Sequence, residues 1–243
     1  MKKILFAASL LMLSGAVMAA GGTQWDYAGA AGPENWGKLT PEYGACSGRN
    51  QSPINLAGMV DAKLTPLVFS YKKQAAEIVN NGHTVQIDVA PGNSIKLDGR
   101  QFDLKQFHFH APSENLIKGK SYPLEGHLVH ADKDGNLVVV AVMFEAGKAS
   151  KTLAQAWKQM PAKAGDKATL SDKIAVLDLL PAQHGYYRYN GSLTTPPCSE
   201  GVRWIVMKKP MSASKEQIVA FTAVLAHPNN RPLQAVNART VLE

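Results

Sequence analysis

The stretch QFHFHAPSEN, residues 106–115, places His108 and His110 one residue apart in an aromatic run, and EGHLVH, residues 125–130, adds His127. Side chains two positions apart in a β-strand point to the same face of the sheet. His108 and His110 therefore share a face, and pairing of the two strands would bring His127 beside them. Three imidazoles around one point are the ligand set of a catalytic zinc ion, which keeps a fourth position open for water.

Two further polar residues precede these histidines on the same predicted face. Gln106 lies two residues before His108, and Glu125 lies two residues before His127. Both are placed to hydrogen-bond an outer ring nitrogen, which orients a metal-binding imidazole. Three histidines without such placement are interpreted as ordinary packed or surface residues: His130, His184 and His227. His130 is offset by three from His127, so we expect it to face the other side of its strand.

A second metal-binding interpretation stays open at this level. The residues HFHAPSE also fit the pattern His-x-His-x₃-Glu, which resembles the first metal motif of cupins, with Glu114 as a fourth ligand to iron or manganese. The glycines that flank the cupin motif are missing, and residues 123–136 do not reproduce its second motif. The seven residues alone do not distinguish the two interpretations.

The composition is that of a globular protein, and the N-terminal pattern predicts export. The 243 residues are 45% hydrophobic and 19% charged, which argues against a mainly disordered chain. A basic start, an apolar run and small residues near position 20 form the pattern of a secretory signal peptide. We expect residues 1–20 to be that signal, cleaved after Ala19 or Ala20, and residues 21–243 to form one domain.

Charge and cysteine content narrow the possible partners. The net charge is +7, or +5 without Lys2 and Lys3 (7 − 2), and the basic residues are scattered. We therefore expect no nucleic-acid partner. No segment after the signal approaches the ~20 apolar residues that cross a bilayer, so we expect no membrane partner. Cys46 and Cys198 favour one disulfide in an exported chain, with two free thiols as the alternative.

Seven β-rich runs separated by Gly, Asn and Asp predict a sheet-dominated protein with mostly antiparallel connections. They cover residues 67–71, 84–90, 94–99, 101–110, 122–131, 136–146 and 202–209. Two helices are predicted, one from about Ser150 to Met160 and one within residues 212–226, capped by Ser212 or Ser214. The predicted fold class is α+β, with a large, mainly antiparallel twisted sheet and a few peripheral helices.

Seven motifs span nearly the whole mature chain: WDYAGAAGPENWGKL, CSGRNQSPINL, NNGHTVQID, QFHFHAPSEN, EGHLVHAD, YNGSLTTPPCSEGVRWIVMKKP and NNRPLQAVNAR. In this order and spacing, the chain resembles the α-class carbonic anhydrases of the exported bacterial type. The resemblance implies that residues 21–243 form one catalytic domain with zinc at the bottom of a cone-shaped cleft. It also implies reversible hydration of carbon dioxide to bicarbonate and a proton.

The resemblance implies catalytic roles for individual residues. His108, His110 and His127 would hold Zn²⁺, and zinc-bound hydroxide would attack carbon dioxide. Thr194 would accept a hydrogen bond from that hydroxide and pass its own proton to Glu114. A hydroxyl committed in this way can only accept, so it selects and aligns a hydroxide nucleophile.

Further residues match the family's supporting positions. His83 matches the proton shuttle, since an imidazole titrates near neutral pH. The polar water path would contain Tyr27, Asn81 and Gln86. The apolar wall that accepts carbon dioxide would contain Val129, Val140, Leu193, Val202 and Trp204. Asn229 would support a zinc-binding histidine through its backbone carbonyl, and the Cys46–Cys198 disulfide of exported members would pin the loop that carries Thr194.

The resemblance also suggests partners and a location. It implies carbon dioxide and bicarbonate as substrates, sulfonamides and anions as inhibitors, and the bacterial periplasm as the compartment. A competing hypothesis is a non-catalytic binding module, since some members of the family lose zinc ligands. The three histidines, Thr194 and Glu114 are all present here, which favours the enzyme.

Overall fold

The structure is a computed structural model that describes residues 24–225 and 227–243. The predicted signal peptide, residues 1–20, lies outside these described residues. The strands are β1 (Asn55–Leu56), β2 (Val68–Ser70), β3 (Ala76–Asn80), β4 (Val85–Val89), β5 (Ser94–Leu97), β6 (Arg100–His110), β7 (Leu116–Ile117), β8 (Leu124–Ala131), β9 (Leu137–Ala146), β10 (Lys167–Thr169), β11 (Tyr186–Ser192), β12 (Glu200–Met207) and β13 (Met211–Ala213). The α-helices are α1 (Trp36–Leu39), α2 (Lys151–Trp157) and α3 (Lys215–Leu225).

Eleven of the described strands form one sheet. Its main order is β10-β3-β4-β6-β8-β9-β12-β11, with β5 and then β2 beside β6, and β13 beside β9. Most neighbours are antiparallel, but β12 and β13 both run parallel to β9. The predicted α+β class with a dominant, mainly antiparallel sheet is confirmed. Each of the seven predicted runs contains a strand, namely β2, β4, β5, β6, β8, β9 and β12.

The two faces of this sheet carry different kinds of side chain. One face packs a large apolar core that includes Phe107, Leu128 and Val140, together with residues of α2 and α3. Each fully buried aliphatic side chain of this kind contributes about 1.5–3 kcal/mol to stability. Because side chains alternate along a strand, the residues between these core positions point to the opposite face. The opposite face carries His108, His110 and His127.

Both longer helices begin at a serine cap. The Ser150 hydroxyl accepts a hydrogen bond from the backbone N–H of Leu153, which starts α2. The Ser214 hydroxyl accepts one from the backbone N–H of Gln217, which starts α3. Of the two predicted caps for α3, Ser214 is therefore the one used, because Ser212 lies in β13. Such caps typically contribute about 1 kcal/mol.

Candidate metal centre and its cleft

Strand pairing brings three histidine rings together. His108 and His110 lie two residues apart on β6, and His127 on β8 lies directly opposite His108 in the antiparallel register. One ring nitrogen of each histidine lies within 4.8 Å of the other two. The predicted pairing of these two strands is therefore confirmed, and the three imidazoles converge on one point.

Two side chains predicted to orient these rings make the expected contacts. Nδ1 of His108 lies 2.8 Å from Oε1 of Gln106. Nε2 of His127 lies 2.8 Å from Oε1 of Glu125. In both cases the partner oxygen belongs to the residue two positions earlier on the same strand, so strand alternation alone places it beside the ring.

The third ring is oriented by the backbone. Nδ1 of His110 lies 2.6 Å from the carbonyl oxygen of Asn229. A neutral imidazole has one N–H donor and one lone pair, and carbonyl or carboxylate oxygens only accept. His108 and His110 therefore carry their proton on Nδ1, whereas His127 carries it on Nε2. The nitrogens left with lone pairs are the ones that converge.

This donor set fits a zinc ion. Nε2 of His110 is buried and has no hydrogen-bond partner among the described residues. An unpaired buried acceptor of this kind costs about 1–3 kcal/mol, which coordination would recover. Three neutral imidazole nitrogens with room for a fourth ligand are the arrangement of catalytic Zn²⁺, and imidazole suits zinc among the divalent metals.

Burial keeps the three rings in the neutral state that binds metal. Desolvation lowers the pKa of His108 well below its ordinary value of 6.5, and the nearby rings of His110 and His127 lower it further. Desolvation is also the main cause that lowers the pKa of His110 and, more strongly, that of His127. Since a protonated imidazole cannot act as a ligand, the same burial prepares the site for a cation.

Glu125 is itself held in place by several donors. Its carboxylate accepts hydrogen bonds from the backbone N–H groups of Glu114 at 2.7 Å and Asn115 at 2.9 Å. The Asn115 side-chain amide donates a third at 2.7 Å. Burial raises the pKa of Glu125, and these hydrogen bonds oppose that effect. A carboxylate fixed by three donors in turn fixes the ring of His127.

Glu114 lies beside the converging nitrogens. Its Oε1 accepts a hydrogen bond of 2.9 Å from the backbone N–H of Arg231. Its Oε2 lies 3.5 Å from Nε2 of His110 and 3.9 Å from Nδ1 of His127. Burial raises the pKa of Glu114 to about 8, and hydrogen bonds from Arg231 and from the Thr194 side chain oppose this rise. Thr194 thus lies near Glu114, whose Oε2 has no hydrogen-bond partner among the described residues.

A disulfide closes the loop that carries Thr194. Cys46 and Cys198 are bonded to each other, which confirms the predicted disulfide. Within the loop, the backbone N–H of Leu193 donates to the carbonyl of Ser199 at 3.0 Å. The covalent bond ties the loop to the 3-10 helix Pro41–Ser47, and a structural disulfide is typical of exported proteins.

A cavity of about 120 Å³ opens in front of the histidines. It is lined by Trp25, Tyr27, Asn81, His83, Thr84, Gln86, Gln106, His108, His110 and Thr195. The predicted water-path residues and the predicted shuttle all lie in this lining. Gln86 is there because it pairs with His108 across β4 and β6. Trp25, Thr84 and Thr195 were not predicted from the sequence, although each lies close in the chain to a residue that was.

His83 lies in the turn between β3 and β4, at the edge of the cavity. The Asn81 side-chain oxygen accepts from the backbone N–H of His83 and of Thr84, both at 2.9 Å. The imidazole stacks on the Trp25 ring, with centroids 3.7 Å apart and planes 11° from parallel. The ring is half-buried, and desolvation lowers its pKa below the ordinary 6.5. At pH 7 it is therefore neutral and able to accept a proton.

The predicted apolar wall needs one correction. Four of its five residues belong to one apolar cluster: Val129, Leu193, Val202 and Trp204. The prediction for Val140 is wrong, because Val140 packs in the core on the opposite face. Val139, one residue earlier, lies in the same cluster as Val129 and opposite it in the β8–β9 register. Side chains alternate along β9, so a shift of one residue changes the face.

The remaining histidines do not line the cavity, although the His227 ring lies 6.2 Å from that of Tyr27, which does. His130 is fully buried, and its Nε2 lies 2.5 Å from the Tyr71 hydroxyl. This contact agrees with its predicted place on the other side of β8. The ring of His184 packs against that of Phe69, and His227 is exposed.

Solved structures that resemble this one include carbonic anhydrases and dioscorin. The α-carbonic anhydrase of Thermovibrio ammonificans, solved with the inhibitor sulfanilamide, is 50% identical with a TM-score of 0.90, and the match covers 92% of this chain and 100% of that one. A hyperthermostable carbonic anhydrase from a hydrothermal vent chimney is 51% identical with a TM-score of 0.89, covering 90% and 99%. Dioscorin, solved with ascorbate, is 33% identical with a TM-score of 0.83, covering 90% and 97%.

Sequence comparison gives the same class. The family model described as eukaryotic-type carbonic anhydrase matches residues 31–243. The carbonic anhydrase of Pectobacterium carotovorum is 46% identical over 243 residues, which is 100% of both chains. That of Pectobacterium atrosepticum is 48% identical and covers 96% of each chain. The chain belongs to the eukaryotic-type carbonic anhydrase family.

Family membership decides between the alternatives left open by the sequence. The chain is an enzyme of this family, and its reaction is the hydration of carbon dioxide. The cupin-type interpretation of HFHAPSE is wrong, because residues 31–243 match the model of a different family. Among the described residues, no helix has both the length and the apolar character needed to cross a membrane.

Proposed function

We propose that the chain hydrates carbon dioxide reversibly, giving bicarbonate and a proton, at a zinc ion held by His108, His110 and His127. The observation that carries this proposal is the convergence of three ring nitrogens within 4.8 Å, each on a ring whose other nitrogen is hydrogen-bonded. When bound, zinc lowers the pKa of a water molecule into the neutral range and so supplies the nucleophile, as is established for carbonic anhydrases generally.

In this proposal Thr194 and Glu114 align the nucleophile. Glu114 already accepts from the Arg231 backbone, and a cation bound beside it would favour its ionised form, which is placed to accept the proton of the Thr194 hydroxyl as well. A hydroxyl whose proton is committed to a carboxylate has only its lone pairs left. Thr194 therefore accepts a hydrogen bond from the nucleophile and fixes the direction of its remaining lone pair.

The carbon dioxide molecule would rest against the apolar cluster beside the metal centre. The proposed contact residues are Val129, Val139, Leu193, Val202 and Trp204. The Trp204 indole ring lies 4.9 Å from the His127 ring between centroids, so this cluster borders the metal centre directly. An apolar surface binds an uncharged gas and holds the charged product poorly, which favours product release.

His83 would carry the proton out of the cleft. Its ring is neutral at pH 7 and lies at the edge of the cavity, so it can accept a proton from water inside and pass it to buffer. The water path would follow the polar groups of Tyr27, Asn81 and Gln86, which line the same cavity. The Tyr27 hydroxyl is buried and has no hydrogen-bond partner among the described residues.

The same cleft would accept the family's inhibitors. Two similar proteins were solved with small inhibitors, sulfanilamide in one and acetazolamide in the other. We therefore propose that sulfonamides and small anions compete with the substrate here. We also propose that residues 1–20 direct export to the periplasm, where the Cys46–Cys198 disulfide is stable.

The test compares wild type with His110→Ala and with the control His130→Gln. The control removes His130, another buried histidine of β8. Its side chain contacts Tyr71 and does not point towards the metal centre. Wild type and His130→Gln should each bind about one zinc per chain and hydrate carbon dioxide rapidly in a stopped-flow assay. His110→Ala should lose both properties.

Two results would contradict the proposal. A folded, zinc-loaded wild type that does not hydrate carbon dioxide would favour the non-catalytic binding module. Full activity and full zinc content in His110→Ala would show that these histidines are not the site.

A further inference from the structure

The side-chain amide of Asn229 joins the metal-ligand strand to the turn that carries His83. Its Nδ2 donates to the backbone carbonyls of Phe109 at 2.9 Å and His83 at 3.0 Å. Its Oδ1 accepts from the backbone N–H of Ala111 at 2.8 Å. Phe109 and Ala111 flank His110, whose ring is held by the backbone carbonyl of the same Asn229.

The Asn229 side-chain amide is buried, and all its polar groups are hydrogen-bonded. Asn229 is 0% exposed, and its two N–H donors and its oxygen all have partners. Hydrogen bonds of a buried amide fix its position, because no water is available to replace a lost partner. A single rigid group therefore contacts the strand of the metal ligand on one side and the shuttle turn on the other.

Among the other contacts that the described residues make with the turn, only those of Thr84 also join it to the metal-ligand strand, and they leave the backbone carbonyl of His83 to Asn229. The Asn81 side-chain oxygen accepts from backbone N–H groups within the turn. The Trp25 ring stacks on the imidazole ring of His83. The pairing of β4 with β6 begins at Gln86, so the backbone of His83 lies beyond it. The Thr84 hydroxyl makes two bonds to β6: it donates to the Phe109 carbonyl at 2.6 Å and accepts from the Phe109 backbone N–H at 3.3 Å.

We propose that the Asn229 side chain is a positioning residue for proton transfer. By bonding the carbonyls of His83 and Phe109, it sets the separation between the shuttle imidazole and the metal centre. This inference rests on the proposed shuttle role of His83. The two functions of Asn229 are separable, because a side-chain substitution leaves the backbone carbonyl that orients His110.

The test measures carbon dioxide hydration in weak buffer, with and without added imidazole, for wild type, Asn229→Ala and His83→Ala. Asn229→Ala should lower kcat roughly tenfold, part of the usual contribution of a positioned proton-transfer group. Its kcat/KM should stay unchanged, because proton export follows conversion of the substrate. Imidazole in the buffer should restore kcat in both variants, and zinc content should stay at one per chain.

A matched control separates position from stability. Gln217 is also a buried amide that joins two segments, through Ser150 and Ser214, but it lies at α3 away from the cavity. Gln217→Ala should reduce stability and leave the buffer dependence of kcat unchanged. If Asn229→Ala does not fold, Asn229→Asp has nearly the same shape and breaks at least one of the two donations from Nδ2, because a carboxyl group donates at most one hydrogen bond.

A readout without turnover completes the test. The ring resonances of His83 in nitrogen-15 NMR spectra should shift in the Asn229 variant and not in Gln217→Ala. An unchanged kcat in Asn229→Ala, beside a lowered kcat in His83→Ala, would overturn the positioning role and leave the shuttle intact. A loss of zinc without rescue by imidazole would also overturn it, since the side chain would then support only the metal. An unchanged kcat in His83→Ala would refute the shuttle and, with it, this inference.

Discussion

At the scale of single residues, the site depends on which nitrogen each histidine presents. Gln106 and Glu125 are acceptors, so each fixes the proton on the outer nitrogen of its histidine and leaves the inner lone pair free. The inner nitrogen is Nε2 in His108 but Nδ1 in His127. Nε2 lies farther from the backbone than Nδ1. Histidines on two neighbouring strands can therefore direct nitrogens at different distances from their backbones to one point.

Thr194 offers a direct test of how the nucleophile is aligned. Replacing Thr194 by Val keeps the shape of the side chain and removes the hydroxyl that is expected to donate to Glu114. We expect kcat/KM to fall roughly 100-fold, the size typical of a lost proton-handling group, with zinc content unchanged. Stopped-flow hydration and metal analysis of the same sample measure both quantities.

The matched control for this variant is Thr152→Val, which removes the hydroxyl of a buried threonine in α2. Its activity should equal that of wild type. Equal activity of Thr194→Val and wild type would contradict the proposed alignment.

Single residues also show what could be predicted from the sequence. The spacing of His108 and His110 fixes their common face, because strand alternation has a period of two. Val140 was assigned to the site from the family resemblance, one residue out of register, and the sequence of β9 could not correct it, because residues 137–144 are all apolar. Thr194 and Glu114 come together only through loops, so no local pattern predicts their contact, and only the family resemblance identified them.

At the scale of elements, strands with a clear apolar or alternating pattern were predicted from the sequence, and strands without one were not. The seven long apolar or alternating runs each contain a strand. The prediction lacked β3 and also β11, which lies at one edge of the sheet and contains Asn190-Gly191, residues that are typical of turns. The parallel pairing of β12 with β9 was not predicted, because it joins segments far apart in the chain.

The disulfide is the element-scale feature with the largest expected effect on stability. Cys46 and Cys198 are 152 residues apart, so the bond restricts a long loop in the unfolded chain. The double variant Cys46→Ser/Cys198→Ser should lose about 2–5 kcal/mol of unfolding free energy. Urea titration of both proteins at neutral pH measures this difference.

The same variant should also lose activity, because the loop with Thr194 is no longer tied to the N-terminal segment. Wild type treated with a reductant is the matched comparison, and it should behave like the variant once the bond is reduced. Unchanged stability and activity in both would show that the disulfide neither stabilises the fold nor holds this loop.

At the scale of the whole molecule, one sheet separates a stabilising core from a functional face. The core side also contains a buried histidine, His130, which contacts Tyr71 and lies near Asp103. Desolvation lowers the pKa of His130 from 6.5 to about 4. The folded state thus resists protonation of a group that is freely protonated in the unfolded chain.

This burial predicts a loss of stability in mild acid. The pKa is lower in the folded than in the unfolded state, so the stabilisation is complete above pH 6.5 and disappears as the pH falls towards 4. Between pH 7.5 and 4.5, wild type should lose roughly 2–3 kcal/mol more unfolding free energy than His130→Gln, which does not titrate there. If urea titrations at the two pH values show that wild type and His130→Gln lose the same unfolding free energy, His130 does not cause the loss of stability in acid.

The central claim is that three converging histidines make this chain a zinc-dependent carbon dioxide hydratase. The most direct measurement is stopped-flow hydration by the mature chain before chelation, after removal of metal, and after titration with zinc. We predict that activity disappears with the metal and returns in full at one equivalent of zinc per chain. Hydration that persists in the metal-free protein, or returns with iron or manganese but not with zinc, would contradict this account.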